Sequence, residues 1–376
     1  MILSTVSVLI TFGLVIFLHE FGHFLMCRKL GVRVERFAFG FGPELIGMTS
    51  GETRFSICAI PLGGFVKPAG ESLEDAIGEP DEYFSQSPWR RLLIVGAGPA
   101  MNYVLAFLMF FSVVYFRGMP EASKEALIGD MAADYPAKTA GLESGDHILK
   151  ISGVAIDKWI DMAEYIHRHP SKKLEVVYAR KGKLARTFLT PRLDTASGRG
   201  LIGIMPMISY RDVTFIEAIK EGAHQCYYWT AYTINTLAEK IYRREKPDLA
   251  GPVGIVQMVS RAAHSGLEDL VFLIGLISVA IGFFNLLPIP LLDGGHAVLY
   301  VWEGLSRRKL TTKLVAAVNS VGLVMLLSLL VFATYNDIMR IRDGRRAKKE
   351  AKEASGAPET PEKAKPKDSV LEPSAP

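Results

Sequence analysis

With 376 residues, 49% of them hydrophobic, the chain has apolar material for several membrane spans and one soluble domain, and it reads as an integral membrane protein. Its net charge of +4 gathers at the ends of apolar runs and in the C-terminal segment, which fits contact with a membrane surface and not with nucleic acid, for which no module is present. The three cysteines, Cys27, Cys58 and Cys226, are far apart and odd in number, which excludes a disulfide framework and a C-x-x-C metal knuckle.

Residues 1–28 form the first predicted span. The run 2–26 is apolar, no Lys or Arg precedes it, and Arg28 and Lys29 follow, which predicts an N-terminus on the outer side. A cleaved signal peptide needs a basic start and a small-residue cleavage site, and the run has neither. Within it lies His19-Glu20-Phe21-Gly22-His23, an H-E-x-x-H motif. On a helix the two imidazoles sit one turn apart on one face and can share a zinc ion, with Glu20 placed to activate water. Each ionisable group at membrane depth costs about 2.5 to 3.5 kcal/mol on insertion scales, so three together mark a function. The motif falls roughly 27 Å along the helix, towards its cytoplasmic end.

Residues 29–91 are predicted as a cytoplasmic or membrane-associated β-hairpin region, with runs at Val32–Phe41, Thr53–Ile60 and Gly63–Val66. Two readings stand side by side: a strand edge that holds a substrate extended, and an ordinary hairpin. Pro88-Trp89-Arg90-Arg91 marks a membrane interface, and 92–117 is the second span. There Gly96-Ala97-Gly98-Pro99-Ala100 permits close helix approach, and Asn102 is a structural or auxiliary candidate that needs a partner in lipid.

Residues 121–208 make a soluble insert. The stretch 136–153 resembles the A-G-L-x-x-G-D-x-I-x-x-x-x-G pattern of bacterial PDZ domains, which implies one PDZ-like domain. No G-L-G-F-type carboxylate loop stands out, so peptide capture and steric gating are both open. The block 210–245 carries a helical period over Phe215–Ile241 but holds Glu217, Lys220, Glu221 and His224 beside Tyr227, Tyr228 and Trp229, the pattern of an amphipathic helix in the interface.

The third span, 269–290, ends in Asn285-Leu286-Leu287-Pro288-Ile289-Pro290, and Leu291-Leu292-Asp293-Gly294-Gly295-His296 opens a loop and connecting helix over 291–312. The fourth span is 313–335. Residues 342–376, rich in Lys, Glu, Ala and Pro, are expected to be a disordered tail.

Two histidines leave a catalytic zinc one protein ligand short. Asp293 follows a proline-broken apolar segment, where a carboxylate is costly unless it is paired, bound to metal or capping the next helix. It reaches the depth of His23 only if the first and third spans run parallel, which requires 215–241 to lie in the interface. The resulting four spans put both termini outside, although Arg340, Arg342, Arg345, Arg346, Lys348 and Lys349 crowd the C-terminal exit against the positive-inside tendency. The fold class is therefore a polytopic α-helical membrane protein of about four transmembrane helices, with membrane-associated β-hairpins and one extracytoplasmic PDZ-like domain.

His19-Glu20-x-x-His23, Gly98-Pro99-x-x-Asn102, the PDZ-like insert and Asn285-x-x-Pro288-x-Pro290-x-x-Asp293-Gly294-Gly295 together resemble the site-2 protease family, in the branch of the bacterial regulator of sigma-E protease. The resemblance implies an intramembrane zinc metalloprotease of the bacterial inner membrane, with its site towards the cytoplasm. Its substrates would be single-span membrane proteins such as trimmed anti-sigma factors or signal-peptide remnants. It further implies zinc on His19, His23 and Asp293, Glu20 as the catalytic base, and Asn285 as a candidate for holding the substrate backbone or the oxyanion. Extracytoplasmic peptides or proteins would meet the PDZ-like domain, and lipids surround the spans. Two departures are the single PDZ domain, where many relatives have two, and Ala280, where some have asparagine. The rival reading is a non-proteolytic PDZ-bearing membrane scaffold with a structural metal. A structural zinc usually has four protein ligands, however, and a scaffold has no use for Glu20.

Overall fold

A computed structural model describes residues 2–72, 76–195, 197–244 and 251–354. In chain order the elements are α1 (Ile2–Lys29), β1 (Val34–Ser50), β2 (Thr53–Pro68), α2 (Pro88–Arg117), β3 (Met119–Ala122), β4 (Ile128–Met131), α3 (Pro136–Thr139), β5 (His147–Ile151), β6 (Val154–Ala155) and α4 (Trp159–His167). Then follow β7 (Leu174–Arg180), β8 (Lys183–Leu189), β9 (Arg192–Leu193), β10 (Gly200–Leu201), β11 (Ile204–Pro206), β12 (Ile208–Arg211), α5 (Phe215–Arg243), α6 (Pro252–Ser265), α7 (Leu267–Leu286), α8 (Asp293–Ser306) and α9 (Thr312–Ala354). The chain forms two compact units, one of residues 1–102, 232–273 and 280–376, the other of 103–231 and 274–279.

Among the described residues, α1, α2, α7 and the Thr312–Asp343 part of α9 are long and apolar enough to cross a membrane, with mean hydropathies of 2.2, 1.8, 2.1 and 2.4. Only 6% of the most apolar window of α9 is buried, leaving Val321, Val324 and Val331 bare, a surface that suits hydrocarbon and not water. The helix continues to Ala354, past Arg342 where the sequence predicts a tail. The Ala, Lys, Glu and Arg residues that end it are strong helix formers. Residues 355–376 of that expected tail lie outside the described residues.

In the first unit β1 and β2 are long enough to pair twice over. Arg36 faces both Arg54 and Lys67, and Phe37 faces both Phe55 and Val66, so each strand bends and contributes two segments to one curled antiparallel sheet. The segment Glu44–Ser50, which the sequence reading leaves out, pairs with Thr53–Cys58. Repeated register shifts accommodate the bends, and Gly40 and Gly63 adopt positive φ of 90° and 136° there. Among the described residues the segment Gly64–Pro68 pairs on one side only, and on its other side the Val66 N–H donates to Glu20 Oε2 at 3.2 Å.

The helix α6 is absent from the sequence reading. Its N-terminal amides are capped from α9: Gly251 N–H and Gly254 N–H donate to the two oxygens of Asp337, at 3.1 and 2.8 Å. Two turns further on, Ser260 Oγ donates to Ser4 Oγ at the start of α1, at 2.8 Å.

In the second unit β6, β5, β7 and β8 form an antiparallel sheet in that order, and β4 pairs with β11 and β3 with β12. Alternate residues Leu174 and Val176 of β7, with Ile148 and Ile151 of β5 on either side of a register shift, close a core with Met162 and Ile166 of α4. Asp146 of the Gly145-Asp146 signature is fully buried. It accepts from Glu143 N–H at 2.8 Å and from Arg180 at 2.8 and 2.7 Å, so a charge that would otherwise be costly locks the turn to β7. An apolar groove of about 630 Å³ lies between α4 and the segment Gly200–Pro206.

Candidate metal centre

The site lies wholly in the first unit. On α1, His19 and His23 project from one face, with ring planes 83° apart and Nε2 atoms 3.2 Å apart. Asp293 Oδ2 lies 3.1 Å from His19 Nε2 and 3.6 Å from His23 Nε2. Ligand atoms around a tetrahedral zinc with bonds of 2.0–2.1 Å are about 3.3 Å from one another, so the three atoms stand where three corners of such a shell belong. Among the described residues this is the group of His, Cys, Asp or Glu side chains close enough to hold a metal, and the cysteines are not in it. Two nitrogens and one oxygen with a fourth side open fit zinc in its catalytic form.

Asp293 is the first helical residue of α8, and no side chain caps that helix from Leu292. Its carboxylate is turned to the histidines. Capping, which the sequence leaves open, is not its role. The chain leaves α7 at Leu286, passes Leu291 at a φ of 74°, and folds back so tightly that a Cβ at Gly294 would sit 2.1 Å from the Leu287 carbonyl oxygen. Only glycine fits that return, which is what carries Asp293 to α1.

α1 and α2 cross at Gly22 and Gly98. A Cβ at Gly22 would lie 2.3 Å from the Ala97 carbonyl oxygen, and one at Gly98 would lie 2.2 Å from His23 Nε2. Partners behind the ligands set their orientation. His23 Nδ1 donates to the Ile94 carbonyl at 2.8 Å, which leaves Nε2 with its lone pair. Asn102, fully buried, has its carboxamide 3.2 Å from His19 Nδ1. Nitrogen faces Nδ1 here. Coordination through Nε2 calls for the oxygen instead, a half-turn of a group whose two ends are alike in shape.

A cavity of about 330 Å³ opens on these groups, lined also by Glu20, Val66, Glu71, His296, Tyr300 and Asn319. Its back wall is held by Arg91, which the sequence places at a membrane interface. The guanidinium is in fact buried, donating to Glu303 at 2.8 Å and lying over the rings of Phe84 and Tyr300 at 5.0 and 4.7 Å, because the start of α2 packs inward against α8. Asn285 sits half-buried on the last turn of α7 and is not among the residues lining the cavity. Sequence reasoning missed Glu71 and Asn319, which no motif marks. It quoted His296 without a role, although three residues past Asp293 on a helix is the same face.

Gathered donors, the Glu20 carboxylate beside them and an open side together equip a protein to hydrolyse amides, and these stand among helices of membrane length: the protein is a metalloprotease of an integral membrane class. It belongs to peptidase family M50, the site-2 proteases, whose model matches residues 7–329. A candidate zinc metalloprotease of Clostridium acetobutylicum is 33% identical over 345 residues, covering 89% of this chain and 97% of that one. The zinc metalloprotease RasP of Geobacillus kaustophilus is 26% identical over 418 residues, covering 90% and 98%. Among solved structures, the PDZ domain of an SdrC-like protein of Listeria innocua is similar over 22% of this chain and 92% of that domain, at 25% identity and a TM-score of 0.20.

Proposed function

We propose that this protein is an intramembrane zinc protease of the bacterial inner membrane that cuts the transmembrane segments of single-span proteins, such as trimmed anti-sigma factors or signal-peptide remnants. The observation that carries the reading is the near-tetrahedral spacing of His19, His23 and Asp293 on helices with the apolar surface of membrane spans. Zinc, when bound, supplies a Lewis acid that polarises the scissile carbonyl and makes water a better nucleophile.

The remaining work falls to this chain's own groups. Glu20 takes a proton from the attacking water and returns it to the leaving amide nitrogen, and the Val66 N–H holds its carboxylate in place. The edge of Gly64–Pro68 offers main-chain partners to an extended substrate, which suits a bond that must be drawn out of a helix before it can be cut. Asn285 holds substrate backbone arriving along α7. The second unit, as an extracytoplasmic PDZ-like domain, meets peptides through its apolar groove, and the metal lies towards the cytoplasmic side.

Purified Glu20→Gln protein tests the reading. It should bind zinc with wild-type stoichiometry and lose at least about a hundredfold in cleavage of a model transmembrane substrate. Cleavage at the wild-type rate would sink the assignment of Glu20, and absence of zinc from the wild-type protein would sink the metal.

A further inference from the structure

The metal cavity does not end at the metal. A second cavity of about 520 Å³ shares Pro68, Glu71, Phe84, Val315 and Asn319 with it, so the two make one groove that leads from the site along the end of β2. Its charges are mostly spent. Arg33 donates to Asp81 at 2.8 Å and to Glu79 at 3.0 Å, Lys67 pairs with Glu35 at 2.8 Å, and Glu82 accepts the amides of Ile77 and Gly78. Glu71 is different. Exposed at the junction of the two cavities, its carboxylate has no ion pair or hydrogen bond among the described residues.

We propose that Glu71 is a specificity-determining residue that pairs with a Lys or Arg flanking the scissile segment on its cytoplasmic side. The proposal rests on the reading of the substrate as a single-span membrane protein. Such proteins carry Lys and Arg at the cytoplasmic ends of their spans, so an extended substrate whose apolar part crosses the metal brings a cation into the adjoining groove. There the wall cations are committed and one carboxylate is spare. An anionic lipid headgroup would meet the same excess of carboxylates and be repelled, which favours the basic peptide as occupant.

The test uses the full chain in detergent and three substrates with one span and Lys-Lys, Gln-Gln or Glu-Glu flanks. Wild-type kcat/KM should favour Lys-Lys over Glu-Glu by roughly fivefold at neutral pH, the size of a partly exposed ion pair. Glu71→Gln should bring the ratio near one, and Glu71→Lys should invert it. Because each ratio compares substrates on one enzyme, partial loss of folded protein does not move it. An unchanged ratio in Glu71→Gln, or a wild-type order in Glu71→Lys, overturns the proposal while leaving the protease reading intact. If the wild-type protein cuts none of the three above the level of Glu20→Gln, it is the protease reading that fails, and this proposal with it.

Discussion

Asn102 shows how far a single polar residue can be read in advance. The sequence says that a carboxamide in the second span needs a partner in lipid. It does not say which, because the partner, His19, is 83 residues away. On the proposed zinc set, the contact with Nδ1 gives Asn102 a positioning role: with its oxygen turned to the ring it would fix the orientation and the tautomer of His19, as second partners of metal-bound histidines do. Replacing it with leucine, similar in volume, should weaken zinc binding roughly 10- to 100-fold in competition with a chelator, whereas Asn102→Asp, which keeps an acceptor oxygen, should stay within a few-fold of wild type. A leucine variant that holds zinc as tightly as the parent would show that Asn102 is packing alone. His19, Glu20, His23 and Asp293 were legible because H-E-x-x-H and the missing third ligand are local or chemical arguments. Glu71 and Asn319 were not, since only the folded groove distinguishes them from any other exposed Glu or span-borne Asn.

At the scale of elements, the crossing of α1 and α2 turns on particular glycines and not on a general supply of small residues. The sequence gives Gly96 and Gly98 equal weight. In the fold a Cβ at Gly96 meets nothing within 4 Å, while one at Gly98 meets His23 Nε2 at 2.2 Å. Gly96→Ala should therefore raise stability by about 0.5–1 kcal/mol through helix propensity and leave zinc content unchanged. Gly98→Ala must displace a ligand, and Gly22→Ala must push backbone from backbone at a cost of about 1–3 kcal/mol. Zinc stoichiometry and thermal unfolding of the three variants check the contrast, and equal effects at positions 96 and 98 would refute the crossing. The helix α6 was missed for a different reason. Gly251-Pro252 is a good helix start, with proline where no N–H is needed, but 14 residues of moderate amphipathicity do not reveal that Asp337, from the far end of the chain, supplies the cap.

At the scale of the molecule, α6 decides the sense of two helices within the first unit. It touches Ser4 at one end of α1 and Asp337 near one end of the apolar part of α9, whereas the other ends, with His19, His23 and Asn319, share the metal cavity. The separations agree: Ser4 to His23 and Asn319 to Asp337 each rise roughly 27 to 29 Å along a helix, about one hydrocarbon thickness. The two helices therefore run antiparallel, and the end of α9 bearing Arg340 and Arg342 lies on the side of the N-terminus. Those basic residues pull the other way, since Lys and Arg favour the cytoplasmic side, but the first helix usually dominates orientation, and the orientation proposed above follows Arg28 and Lys29 in its last turn. Fusions placed before Ile2 and after Arg346 should accordingly report one and the same compartment, outside the cytoplasm. An enzyme reporter active only after export should work at both places and a cytoplasmic fluorophore at neither. A cytoplasmic result at Arg346 with an exported N-terminus would require α9 to enter from the opposite face, and the Asp337 cap on α6 could not then form alongside the Ser4 contact.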